Sequence, residues 1–223
     1  MPSKIFYRRR LPHIHPPESA YSITYRLAGS LPKPIIGELK EAYQAERLRI
    51  MGKYQGKEDT ASKEALANET VALRNAHFLK MDRYLDQALH GPTWLKKPDV
   101  AKIIMDSLHF IEAELKYWDI WAYCIMANHV HLECTLTPVA PALNRIMKSH
   151  KSFTARQANL YLERTGKPFW QEESFDRLIR DEPDFYHRIY YAINNPVEAK
   201  LVKSWLDWPY TYVHPEIRKN IVP

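Results

Sequence analysis

The stretch YCIMANHVHLECTL, Tyr123 to Leu136, decides the reading of this chain. It is an apolar run interrupted by two histidines one residue apart, His129 and His131. Side chains alternate between faces along a β-strand. The two imidazoles therefore project one way, while Val130, Leu132 and Cys134 project the other. An imidazole is costly to bury without a polar partner. Two of them on one face are well spaced to hold a single divalent ion, with the apolar face behind them as an anchor. Cys134 has the wrong parity to join them, which counts against a zinc site built with Cys124. Two polar residues on the open face of a half-buried strand would show the same spacing, so further ligands must come from elsewhere in the chain.

Working outward, WDIWAYCIM and HVHLECTL read as two strands joined at ANH. Upstream, AYSITYRLAG alternates and is β-prone, giving a first strand over Ala20 to Gly29, stopped by Gly29, Pro32 and Pro34. From Ile36 to Leu89 the chain is rich in Ala, Glu, Lys, Leu and Gln, which predicts a helical hairpin broken near GKYQGKEDTAS. DVAKIIMDSLHFIEAEL carries Val100, Ile103, Ile104, Leu108 and Ile111 on one stripe and reads as an amphipathic helix. A long helix follows Pro141 and runs to about Arg164. SFDRLIR reads as a fourth strand, and Asp181 caps a helix that carries Glu182 and Pro183 in its first turn and runs towards Asn195-Pro196. The order β-(insert)-α-β-β-α-β-α predicts an α+β fold, a mostly antiparallel sheet of four to five strands covered by helices. Residues 1–223 are expected to form a single domain with a helical insertion at about 36–90.

Composition sets the setting. The chain has 223 residues, 45% of them hydrophobic, enough for one sizeable core but not clearly for two domains. Two cysteines and six glycines argue against a disulfide-built secreted protein and for a reducing, cytoplasmic one. The basic N-terminal stretch has no apolar run suited to a signal peptide, and no segment approaches the roughly 20 apolar residues of a membrane span. The net charge of +6 permits a polyanionic partner.

The helix EPDFYHRIYYAINNPV supplies the missing chemistry. Residues four apart share a helix face, so Tyr191 points with Asn195, and Tyr190 with Asn194. An amide oxygen completes a hard-metal site beside two imidazoles. A phenol on the same face can attack a phosphate held at that metal, which makes up for its weakness as a nucleophile at an ordinary pKa near 10. Spacing alone does not choose between Tyr190 and Tyr191. In NRIMKSHKSFTARQANLYLERTGK, Arg145, Lys148, Lys151 and Arg156 form a basic helical face set opposite Ile146, Phe153 and Leu160, suited to a phosphate backbone. Arg8, Arg9 and Arg10, mixed with Phe6 and Tyr7, suit backbone neutralisation with base stacking. Trp118 and Trp121 read as core.

These residues resemble a known family. MANHVHLECT, IMKSHKSFTARQAN, FWQEESFDRLIRDEPDFYHRIYYAINNPVEAKLV and DWPYTY are similar to the single-tyrosine HUH transposases, in the branch of the REP-associated tyrosine transposases within the IS200-like superfamily. The resemblance implies a ferredoxin/RRM-like HUH fold and selects Tyr191 as nucleophile. It implies that His129, His131 and Asn195 hold a divalent ion, Mg2+ or Mn2+. The activity implied is metal-dependent nicking and strand transfer on single-stranded DNA carrying hairpins or palindromic repeats, in DNA transposition or recombination, by a monomer or homodimer. The insertion is longer than the family's usual connection, and MANH stands where Pro often precedes the Asn. Two other readings remain open: a catalytically silent hairpin-binding regulator, and a replication-initiator or relaxase-type HUH nuclease.

Overall fold

The computed structural model describes residues 18–221, together with the backbones of two short antiparallel strands, β1 (Phe6–Arg8) and β2 (Pro12–Ile14). The side chains of Arg8, Arg9 and Arg10 lie outside the described residues. Gly29–Gly91 forms one compact unit, and the segments on either side of it form the other.

The larger unit is built on a sheet of order β6-β3-β5-β4-β7, antiparallel at every step. Its strands are β3 (Ala20–Arg26), β4 (Trp118–Ile125), β5 (His129–Leu136), β6 (Phe175–Leu178) and β7 (Thr211–Val213). β5 is central, and that position explains its composition: neighbours on both sides and helices on both faces leave no solvent side. The register shifts between Ile120 and Ala122, so Trp121 sits at an irregularity in β4.

One face carries Tyr21, Ile23, Tyr25, Ile120, Tyr123, Ile125, Val130, Leu132 and Cys134, all buried. Helix α3 (Pro98–Ala113) packs here through Val100, Ile104, Leu108 and Ile111, and α4 (Leu143–Tyr161) through Leu143, Ile146, Met147 and Ala158. A buried polar chain is enclosed within this layer. His150 contacts Ser107 Oγ through Nδ1 (2.9 Å) and Tyr25 Oη through Nε2 (2.9 Å). Burial pushes the His150 pKa down to about 3, so the ring is a neutral structural hub.

The Phe-Trp-Gln stretch continues the edge of β3. Leu27 and Trp170 form a bridge, Ala28 N–H donates to Phe169 O and Gln171 N–H to Arg26 O (2.8 Å each), and Trp170 Nε1 donates to Thr154 Oγ1 (2.9 Å).

The opposite face is covered by α5 (Glu182–Glu198) and α6 (Pro215–Ile221), with Ala122, Ile189, Ile193, Val213 and Ile217 forming a second apolar cluster. Asp181 caps α5 by accepting from Asp184 N–H (2.8 Å), and Pro183 occupies the first turn, where its missing N–H has no helical partner. Asn195-Pro196 does not end this helix. It runs on to Glu198, and the bonds from Ala199 N to Asn195 O and Leu201 N to Pro196 O (2.9 Å each) carry the turn past the proline.

The smaller unit is a helical hairpin, α1 (Lys33–Lys53) and α2 (Thr60–Gln87), where the composition of 36–90 predicts helix. Asp59 caps α2 by accepting from Ser62 N–H (2.8 Å). Glu69 pairs with Lys53 and accepts from Tyr54 Oη (2.8 Å), tying the helices together beside their turn. At the base of the unit Gly91 has φ +76, and a Cβ there would stand 2.1 Å from the Gly29 carbonyl oxygen. Only glycine allows both the backbone conformation and that close approach. Among the described residues no helix is long and apolar enough to cross a membrane.

One sequence expectation fails on α4. Phe153 and Leu160 are exposed (52% and 54%), and the buried stripe is Leu143, Ile146, Met147, His150, Thr154 and Ala158. Ile146, Phe153 and Leu160 repeat every seven residues, and such a series drifts by ~20° per repeat on a straight helix. It starts at the edge of the buried stripe and walks off it.

Candidate metal and tyrosine site

The α5-facing side of the sheet carries a row of polar side chains set by strand register. Thr24 lies opposite His131, and Ser22 opposite Glu133. His129 and His131 are 0% and 1% exposed, so this is not the open face of a half-buried strand.

Each of the two imidazoles has a polar atom within hydrogen-bond distance of each ring nitrogen. Asn195 Nδ2 lies 3.0 Å from His131 Nε2, and Thr24 Oγ1 lies 3.0 Å from His131 Nδ1. Asn128 Oδ1 lies 2.7 Å from His129 Nδ1, where an amide oxygen accepts a ring N–H. The two Nε2 atoms are 3.0 Å apart. That separation suits two ring nitrogens that share a proton in a hydrogen bond or ligate one metal ion. Burial, reinforced by His131, holds the His129 pKa well below the usual range, so the ring is neutral.

The donor set suits a divalent ion. Ligand atoms at right angles around an ion with bonds of roughly 2.1 Å stand about 3 Å apart, the separation found here. Asn195 Oδ1 is buried without a hydrogen-bond partner among the described residues. Half a turn of the amide exchanges it with Nδ2, which puts a potential ligand oxygen beside His131 Nε2.

Tyr191 lies on the same side. Its ring stands edge-on to His131 with centroids 5.7 Å apart, whereas Tyr190 is 42% exposed on another side of α5. The pairing of Tyr191 with Asn195, left open by spacing, is the one that faces the histidines. Asp184 holds α5 in place, accepting from Arg177 Nη2 of β6 (3.0 Å) and Arg188 Nε (3.4 Å).

Sequence reasoning missed three polar neighbours. Glu133 shares the parity of His129 and His131; its Oε1 accepts from Ser22 Oγ (2.9 Å), and burial raises its pKa well above the carboxylate range, against that bond. The His-Val-His-Leu-Glu alternation was the signal for it. Asn128 is adjacent to His129 in the chain, whereas Thr24 is brought in only by register.

The predicted basic face divides. Arg145, Lys148 and Arg156 line an open groove of about 520 Å³ on the outer side of α4, together with Ser149, Ser152 and Phe153. Lys151 is turned elsewhere: its Nζ donates to the carbonyls of Gln171 (2.7 Å) and Glu172 (2.8 Å), securing the loop that leads to β6. Because α4 packs on the face opposite α5, the groove and the histidine pair lie on different layers of this unit.

No family model matches the chain. A Haemophilus influenzae protein named as a candidate REP-associated tyrosine transposase is 30% identical over 110 residues, 46% of this chain and 62% of that protein. An Escherichia coli K12 REP-associated tyrosine transposase is 24% identical over 110 residues, 48% of this chain and 61% of that protein. The chain is similar to REP-associated tyrosine transposases. The aligned stretch thus spans about three fifths of the length of each curated relative. A solved REP-associated tyrosine transposase bound to a REP hairpin shares the fold, with a TM-score of 0.52 at 15% identity over 97% of this chain and 87% of that one. The antiparallel sheet and its covering helices are therefore the HUH fold of those transposases.

Proposed function

We propose that this chain is a metal-assisted nuclease and strand transferase for single-stranded DNA carrying hairpins, working through a 5′-phosphotyrosyl intermediate on Tyr191. The observation that carries this reading is the partly exposed Tyr191 ring set against His131, beside a buried polar cluster that includes His129 and Asn195. A bound divalent ion would polarise the scissile phosphate and offset charge on its oxygens. The chain's own groups do the rest. Thr24 and Asn128 hold the imidazole protons away from the ligand side, and Asn195 turns its amide oxygen inward. Tyr191 loses its phenolic proton as Oη bonds to phosphorus. The bond from phosphorus to the 3′ oxygen breaks, and that oxygen takes up a proton to become a free hydroxyl. Attack by another 3′-hydroxyl reverses the sequence and joins strands.

The test is incubation of the protein with end-labelled, hairpin-bearing single strands, with Mg2+ or Mn2+ and with chelator. A covalent adduct resistant to denaturant is expected with metal and absent with chelator. Tight binding with no adduct under either ion would instead make the chain a silent hairpin binder.

The α4 groove is part of the same reading, as a contact for the DNA backbone away from the cleavage centre, with Phe153 offering a ring to an unpaired base. Each lost phosphate contact lowers the slope of log affinity against log salt by roughly 0.7 for single strands. Replacing Arg145 and Lys148 by Glu should therefore flatten that slope by more than about one unit and weaken binding to different hairpins alike, since phosphate contacts carry no sequence information. Fluorescence anisotropy across a salt series measures it. An unchanged slope would leave the groove a solvated helix face.

A further inference from the structure

The geometry points to Thr24 and Asn128 as positioning residues that fix both imidazoles in the tautomer able to bind metal. The inference rests on the metal reading above and adds what would turn both Nε2 lone pairs towards one ion. An isolated neutral imidazole carries its proton on either nitrogen, and the bond made by one nitrogen decides which remains free as a ligand. Here each choice is made by a different element. β3 supplies Thr24, whose Oγ1 lies 3.0 Å from His131 Nδ1, and the turn before β5 supplies Asn128, whose Oδ1 lies 2.7 Å from His129 Nδ1. Both groups are buried (Thr24 4% exposed, Asn128 0%), so no solvent molecule replaces them cheaply. Removing either oxygen removes that ring's preference for Nδ1–H, and a proton on Nε2 takes away the ligand lone pair.

Side-chain size does not explain Thr24. Valine has the same shape, fills the same space on a β-strand and lacks only the hydroxyl. The expectations for Thr24→Val and Thr24→Ser therefore differ: the first removes the acceptor and keeps the packing, and the second keeps the acceptor and loses a methyl group. Asn128→Ala and Asn128→Asp stand in the same relation for His129, the aspartate retaining a carbonyl-type oxygen at the bonding position.

Two measurements on the full chain without DNA separate this inference from the metal reading. Long-range 1H–15N correlation NMR of the metal-free protein reads the tautomers directly. The expected result is Nδ1–H on both rings in the wild type, and a shift of His131 towards Nε2–H in Thr24→Val that Thr24→Ser reverses. Mn2+ titration followed by electron paramagnetic resonance reads affinity. Loss of a partner behind a metal-binding histidine typically weakens the ion by about 10–100-fold, so Thr24→Val and Asn128→Ala should fall in that range while Thr24→Ser and Asn128→Asp stay near wild type. Wild-type protein that binds no Mn2+ overturns the metal reading itself. Wild-type binding matched by Thr24→Val, or an Nε2–H ring in the wild type, overturns the positioning role. Thermal melting of each variant identifies any that fail to fold, and the serine and aspartate variants keep the comparison decisive in that case.

Discussion

Tyr191→Phe is expected to abolish the covalent DNA adduct while leaving hairpin binding largely intact. The substitution deletes one oxygen and keeps the ring that stands edge-on to His131, so the packing of α5 does not change. Removing the nucleophile from an enzyme that works through a covalent intermediate costs on the order of 10⁶-fold in rate where it has been measured, which puts the residual reaction below detection in a gel assay. Tyr190→Phe is the internal control. Its side chain is 42% exposed and directed away from the histidines, so the variant should form adduct at a near wild-type rate. Loss of adduct in Tyr190→Phe alone would mean that α5 presents the other tyrosine to DNA.

The second large effect is expected at His131. This ring contacts His129, Asn195, Thr24 and Tyr191 at once. His131→Ala deletes a ligand and leaves Thr24 and Asn195 with a lost partner each, at a stability cost of about 1–3 kcal/mol per unsatisfied buried group. Mn2+ affinity should fall by more than the roughly 100-fold that marks the loss of an outer-sphere partner, and adduct formation should vanish with it. His129→Ala should lose adduct too, while keeping the contacts of His131 with Thr24 and Asn195. Isothermal titration with Mn2+, read beside a melting curve, distinguishes lost metal from lost fold. Adduct formation by either variant, or by wild type in excess chelator, would contradict the metal role.

Much of this site was legible in the sequence because it depends on local periodicity. The alternation of His129, Val130, His131 and Leu132 assigns faces without knowledge of any neighbour, and the spacing of Tyr191 and Asn195 does the same on a helix. The cap of α5 by Asp181 with Pro183 in the first turn was legible for the same reason. What depends on distant pairing was not. Thr24 joins His131 only through the register of β3 against β5, strands separated by more than a hundred residues, and nothing local marks it. β7 is three residues long, too short for alternation to show. The misreading of Phe153 and Leu160 has a different origin. A seven-residue apolar repeat satisfies a helical template while drifting off the buried stripe, and exposed aromatics on a basic face look like core until the helix is packed. Lys151 was assigned to that face by charge, whereas its partners are backbone carbonyls that composition does not reveal.

The most direct test of the account is to locate the DNA on the protein. After incubation with hairpin-bearing single strands and Mn2+, nuclease trimming and peptide mass spectrometry should find the nucleotide remnant on Tyr191, attached through a 5′-phosphate, and should find none when chelator is present. A remnant on Tyr190 or any other residue, or hairpin DNA bound with no covalent remnant anywhere, would contradict it.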